Sequence, residues 1–177
     1  MTPDFAIGID PGISGRAGAA IIFPHEPKPN AVAWALVPMD STHSLVDRSD
    51  DMARQMLAAV VEQLDSRPDV NPMGGIVTVE HPVVGQGRKS SIVQAMTAGW
   101  IAAAFAAVFG ARRVRYVSPA RAKKAATGNG NAGKETVASM MAATYGIALE
   151  GTQADRWAKG DALAIATAGM HDAEGDQ

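Results

Sequence analysis

The sequence predicts an α/β fold with a mixed five-stranded sheet flanked by helices. Three observations predict it. Two short, almost wholly apolar runs, Asp4–Asp10 and Gly75–Glu80, have the composition of strands buried on both faces. The first 37 residues hold three β-like runs divided by Pro- and Gly-containing turns. From Ser44 onward, longer helical patterns alternate with short apolar ones, which gives the order β-β-β-α-β-α-β-α-α.

Each element has a local reason. Asp4–Asp10 ends in a Pro-Gly turn, and Ala17–Phe23 follows as its hairpin partner. Pro24–Asn30 holds three prolines and reads as a loop, and Ala31–Val37 completes a three-stranded antiparallel meander. Ser44–Leu64 carries Leu45, Met52, Met56, Val60 and Leu64 on one helical face and closes at Ser66-Arg67-Pro68. Gly75–Glu80 reads as a central strand parallel to the first. Ser90–Phe109 is alanine-rich and nearly apolar all round, the pattern of a buried or interface helix. Arg112–Val117 reads as a further parallel or edge strand. Ser118-Pro119 gives an N-cap followed by proline at the first helical position. Lys134–Tyr145 is helical, with Met140 and Met141 expected inward and Gly146 as its stop. Gln153–His171 closes the chain as one helix or as a pair broken at Gly160.

At 177 residues, one domain over the whole chain is expected, and 47% hydrophobic content argues against disorder. Cysteine is absent, which excludes disulfides and thiolate metal sites and fits a cytoplasmic location. The N-terminus lacks the basic-then-apolar order of a signal peptide. Trp100–Gly110, taken as the longest apolar stretch, is too short to span a bilayer, so no membrane is expected.

Three lone carboxylates border apolar runs: Asp10, Glu80 and Asp161. Two end strands and the third sits in an alanine-rich helix. In an open α/β sheet, chemistry gathers beyond the strand C-termini. Carboxylates converging there repel one another unless cations lie between them, and hard oxygen donors suit Mg²⁺ or Mn²⁺. Two such ions per site, about 3.5–4 Å apart, are a recurrent device for phosphodiester cleavage. The bland readings are a turn aspartate, an exposed strand-end glutamate and a helix cap.

A net charge of −2 says little about nucleic acid, but its distribution says more. Between Gly110 and Lys134 the chain carries Arg112, Arg113, Arg115, Arg121, Lys123, Lys124 and Lys134 and no acid. A solvated helix face would explain these charges; a phosphate-binding surface beside the acids would explain their position. Gln86, Arg88 and Lys89 lie in the loop Pro82–Lys89 that follows Glu80 and join the candidate DNA contacts. Gly128–Lys134 matches the start of a G-x-x-x-x-G-K phosphate loop, but Glu135 replaces the required Ser or Thr and a helix precedes it. No nucleotide cofactor is expected.

Taken together, Ile-Gly-Ile-Asp-Pro-Gly, Val-Glu, the lysine-bearing helix, Gly-Asn-Gly-Asn-Ala-Gly-Lys and Asp-Ala-Leu-Ala-Ile-Ala resemble the RuvC-type Holliday junction resolvases, in register from about Phe5 to His171. The resemblance implies an RNase H-like fold, a homodimer, and Mg²⁺-dependent paired nicking of a four-way junction. The short length and divergent loops point to a phage-encoded member. The resemblance also implies metal-binding and catalytic roles for Asp10, Glu80 and Asp161, a basic contact for Lys123, and a place for Lys134 close to the cleaved backbone. Ser90–Phe109 is then the expected dimer seam, with plain core packing as its alternative.

One departure stands out. Where the family carries an acid or histidine three residues before its last aspartate, this chain has Ala158. Three acids suffice; or Asp155, from Gln153-Ala154-Asp155, takes the role through a break near Gly160; or the chain binds junctions and cuts them poorly. The last alternative is a junction- or branched-DNA-binding protein. An enzyme of flaps or single-stranded branches is a further alternative, and a two-domain ATPase is excluded by length.

Overall fold

The structure, a computed structural model, describes residues 2–12, 15–28, 30–82 and 88–175. Five strands form one sheet in the order β3-β2-β1-β4-β5. β1 (Ala6–Asp10), β2 (Ala17–Ile22) and β3 (Ala31–Leu36) form the expected antiparallel meander. β4 (Ile76–Glu80) and β5 (Val114–Val117) extend it in parallel, so β5 is both parallel and an edge strand. A short 3₁₀ turn, Ala111–Arg113, takes the first part of the run expected to be strand.

The apolar alternation of the strands sorts the helices into two layers. Ile7, Ile9, Val77 and Val79 face one core, under α1 (Leu45–Asp65) and α2 (Arg88–Phe109). Ala6, Ala20, Ile22 and Ile76 face the other, under α3 (Pro119–Thr127), α4 (Lys134–Tyr145) and α5 (Gln153–Gly175). Side chains alternate along a strand. Asp10 and Glu80 therefore share the face covered by α5, the helix that carries Asp161.

The local stop and start signals act as the sequence implies. Ser44 Oγ accepts from the Asp47 amide and opens α1. Ser118 Oγ accepts from the Arg121 amide with Pro119 at the first helical position of α3. Gly128 and Gly146 end α3 and α4 with φ of 77° and 67°, backbone that glycine adopts without strain.

One open alternative is decided and two expectations are corrected. α5 runs unbroken through Gly160, because the absent side chain serves packing: a Cβ there would stand 2.7 Å from Ala138 Cα of α4. Met141 is buried, but Met140 is 45% exposed on the outer side of α4. Apolar length was also underestimated. Ser91–Phe109, 19 residues of mean hydropathy 1.8, is long and apolar enough to cross a membrane by length and composition alone. In the fold one side of it is core, with Ala98, Ile101, Phe105 and Phe109 buried against α1 and the sheet.

α5 lies unusually close to the strands that carry Asp10. A Cβ on Gly8 would stand 2.0 Å from the Ala162 carbonyl oxygen and 2.5 Å from the Ala166 nitrogen. These are backbone atoms and cannot swing aside. Gly8→Ala is expected to cost about 3 kcal/mol or more, since overpacking against backbone must displace the helix. Urea denaturation checks this, and a variant of wild-type stability would contradict the packing.

Candidate active site and nucleic-acid interface

Asp10 ends β1, Glu80 ends the neighbouring β4, and Asp161 lies two turns into α5, above the same end of the sheet. The three converge. Burial, then the charges of Glu80 and Asp161, push the Asp10 carboxyl well above the usual carboxylate range. Burial and Asp161 raise Glu80 to about 7. Carboxylates gathered in this way form an anionic pocket short of positive charge.

Lys134 supplies the cation that is present. Its Nζ lies 3.1 Å from Asp161 Oδ2. Desolvation opposes its charge, but Asp161, then Asp10 and Glu80, outweigh this and hold its pKa above the usual lysine value. Gly133 precedes it as the N-cap of α4, so the glycine loop delivers the lysine at the first helical position. Lys123 of α3 also acts on the cluster, lowering the Glu80 pKa by its charge. Both lysines singled out in the sequence reach the site.

Among the described residues, no group of three His, Asp or Glu side chains already stands at metal-chelating spacing. The donor chemistry nevertheless fits a hard divalent cation: oxygen donors only, mutually repelling, on three rigid elements. In this metal-free arrangement Lys134 is seated on Asp161, one of the three donors.

Asp155 does not join them. Because α5 is continuous, its carboxylate stays in the first turn. There it accepts from the Thr152 hydroxyl at 2.7 Å, the Thr152 amide at 2.9 Å and Arg16 Nε at 2.6 Å. Those bonds, the Thr152 pair first and then Arg16, hold its pKa at about 2. Asp155 and Arg16 clamp the start of α5 to the turn before β2. Ala158, one turn on, is buried, and its carbonyl oxygen would stand 2.2 Å from a Cβ placed on Gly18.

The basic run is not one patch. Arg112 and Arg113 lie in the 3₁₀ turn before β5, at the opposite end of the sheet from the acids, where Arg113 Nη1 donates to the Gly75 carbonyl. Arg115 and Arg121 line a cleft at the outer edge of β5. Lys124 faces a neighbouring hollow on the other side of Arg121. The expectations for Gln86 and for the Arg88 and Lys89 side chains lie outside the described residues.

Two partners were not singled out in the sequence. Trp157 Nε1 donates to Glu135 Oε2 at 3.0 Å, tying α5 to α4 beside Lys134. Asp172 pairs with Arg121 across 51 residues. Neither has a local sequence signal, since both depend on how separate helices meet.

The family model for the crossover junction endodeoxyribonuclease RuvC matches residues 6–169, nearly the whole chain. The chain belongs to the RuvC family. Its fold also resembles solved RuvC structures. The Thermus thermophilus RuvC structure is 27% identical with a TM-score of 0.60, over 97% of this chain and 96% of that one. T. thermophilus RuvC in complex with a Holliday junction substrate is 25% identical with a TM-score of 0.64, over the same shares. No curated protein matches in the corresponding sequence comparison. RuvC membership accounts for the mixed sheet and its RNase H-like arrangement.

Proposed function

We propose that this RuvC-family chain is a metal-dependent, structure-selective endodeoxyribonuclease that resolves four-way DNA junctions by paired symmetric nicks. The observation that carries this is the convergence of Asp10, Glu80 and Asp161 around Lys134 at the C-terminal ends of β1 and β4. The three acids would hold two Mg²⁺ or Mn²⁺ ions. Bound divalent ions supply Lewis acidity and a water of lowered pKa. The protein's own groups do the rest. The rigid strand ends fix the acids, Lys134 offsets negative charge that develops on the phosphate, and Lys123 holds the backbone beside Glu80. Cytoplasmic DNA processing is the setting this family reading supports.

Paired nicks need two sites. Ile92, Met96 and Trp100 are 58%, 52% and 43% exposed at four-residue intervals along the outer side of α2. Such a stripe on one helix face suits a two-fold seam, in which the same patch meets itself.

Ala158 favours a second reading, a junction-binding protein with weak catalysis, because Asp155 is committed to Arg16 and leaves three acids. One assay separates the two: a labelled four-way junction with Mg²⁺ or Mn²⁺, beside linear duplex. Paired symmetric nicks on the junction alone are expected, abolished by Asp10→Asn. Met96→Glu with Trp100→Glu is expected to yield monomers by sedimentation and to uncouple the nicks. Tight binding without nicks would select the second reading. Neither binding nor nicking would remove both.

A further inference from the structure

We infer that the cleft along the outer edge of β5 is a second phosphate-binding site, which takes a backbone phosphate of a DNA arm while Asp172 serves as its built-in counter-ion. The inference rests on the nuclease reading above but concerns a place outside the acidic cluster.

The cleft, about 490 Å³, is lined by Arg115 of β5, Ser118 and Arg121 of α3, and His171 and Asp172 of α5, with Tyr116 at its rim. A hollow of about 370 Å³ adjoins it, sharing Arg121, His171 and Asp172 and adding Lys124. Arg121 thus stands between two openings, and among the described residues lining them Asp172 is the carboxylate that pairs with it. A hydroxyl-bearing cleft with two arginine forks suits a phosphodiester, which accepts paired bonds from guanidinium.

Position supports the same occupant. Val117 lies opposite Glu80 in the β4–β5 register, so the cleft begins one strand, roughly 4.8 Å, from an active-site acid. A DNA strand laid across the acids would leave the sheet over this edge. The Arg121–Asp172 pair is poised for exchange. Arg121 is 63% exposed, and ion pairs that open to water contribute little, so a phosphate can displace Asp172 at small cost.

Arg121→Ala and Asp172→Asn break the same ion pair, and they are expected to move DNA affinity in opposite directions. The measurement is fluorescence anisotropy of a labelled four-way junction in EDTA, across a salt series. Arg121→Ala and Arg115→Ala should each weaken binding several-fold and make the slope of log K against log salt shallower by about one. Asp172→Asn should tighten binding about three-fold and steepen the slope. Arg121→Lys, which keeps the charge, should stay near wild type in slope. A merely structural pair would shift both Arg121→Ala and Asp172→Asn the same way, and that result overturns the inference. So would unchanged binding in both variants of a wild type that binds and nicks junctions, a result that leaves the nuclease reading intact. A wild type that binds no junction would remove that reading and this inference with it.

Discussion

Glu80→Gln is expected to abolish nicking and, at the same time, to stabilise the metal-free protein above neutral pH. Both effects come from the same crowding of charge. Glu80 is raised to about 7 by burial and by Asp161, from an ordinary value of 4.5. A group whose folded pKa is raised stabilises the fold while it is protonated in both states, and that contribution is lost as pH climbs through the folded value. The window here runs from about 4.5 to about 7. Across it the wild-type protein should lose up to about 3 kcal/mol through this residue alone, as the carboxylate is forced to ionise beside Asp161. Glutamine carries no titration, so the variant should escape that loss. Urea denaturation in EDTA at pH 5 and pH 8 reads the difference: the two proteins should converge at the lower pH and separate at the higher. Added Mg²⁺ or Mn²⁺ should restore wild-type stability at pH 8, by about 2.7 kcal/mol at a hundred-fold excess over Kd, and do less for the variant. Nicking should fall by ~10³ or more, the equivalent of about 4 kcal/mol of barrier. A Glu80→Gln enzyme that nicks at the wild-type rate would remove Glu80 from the site.

The sheet and its order were legible because they depend on local signals. Short continuous apolar runs, the Pro11-Gly12 turn, and a cap residue before each of α1 and α3 are read within a few residues of where they act. Asp10 and Glu80 were legible for the same reason: a carboxylate closing an apolar strand needs a cation or a partner. The misreadings concern features set by contact between distant segments. Gly160 looked like a helix break because glycine weakens isolated helices, but Ala138 of α4 packs where its side chain would be, and tertiary packing prevails. The long basic run looked continuous in sequence, yet the reversal at β5 and the turn of α3 send Arg113, Arg121 and Lys123 to three different places.

Ala158, where the resemblance implies a fourth acid, sits in a defined structural setting. With α5 unbroken, Asp155 sits at the helix start, held by Thr152 and Arg16, and the residue one turn on is a buried alanine over Gly18. The clamp fixes α5 against the turn before β2 and so helps set the height of Asp161 above Asp10. A three-acid site therefore comes with a helix anchored close to the sheet at both Gly8 and Gly18.

Lys134→Met is expected to separate metal affinity from turnover. In the metal-free protein the Lys134 ammonium, 3.1 Å from Asp161, partly neutralises all three acids. A divalent ion drawn to Asp161 must compete with that ammonium. Removing the lysine removes the competitor and leaves the acids more strongly repelling, so the metal should bind several-fold more tightly, about 1 kcal/mol in favour. The gain is small because the lysine side chain is 52% exposed and water screens it. The maximal nicking rate should nevertheless fall by ~10²–10³, the usual loss when a positioned group that offsets developing charge is deleted. Mn²⁺ titration of the protein gives the affinity, and nicking at saturating Mn²⁺ gives the rate. Lys134→Arg, which retains the charge, should show neither change in full. In a Glu80→Gln background the stability cost of Lys134→Met should shrink, since one of the charges the lysine offsets is gone; the two substitutions should be coupled by about 0.5–1 kcal/mol. Weaker metal binding in Lys134→Met would mean that the lysine assembles the acids for the ion instead of standing in for it.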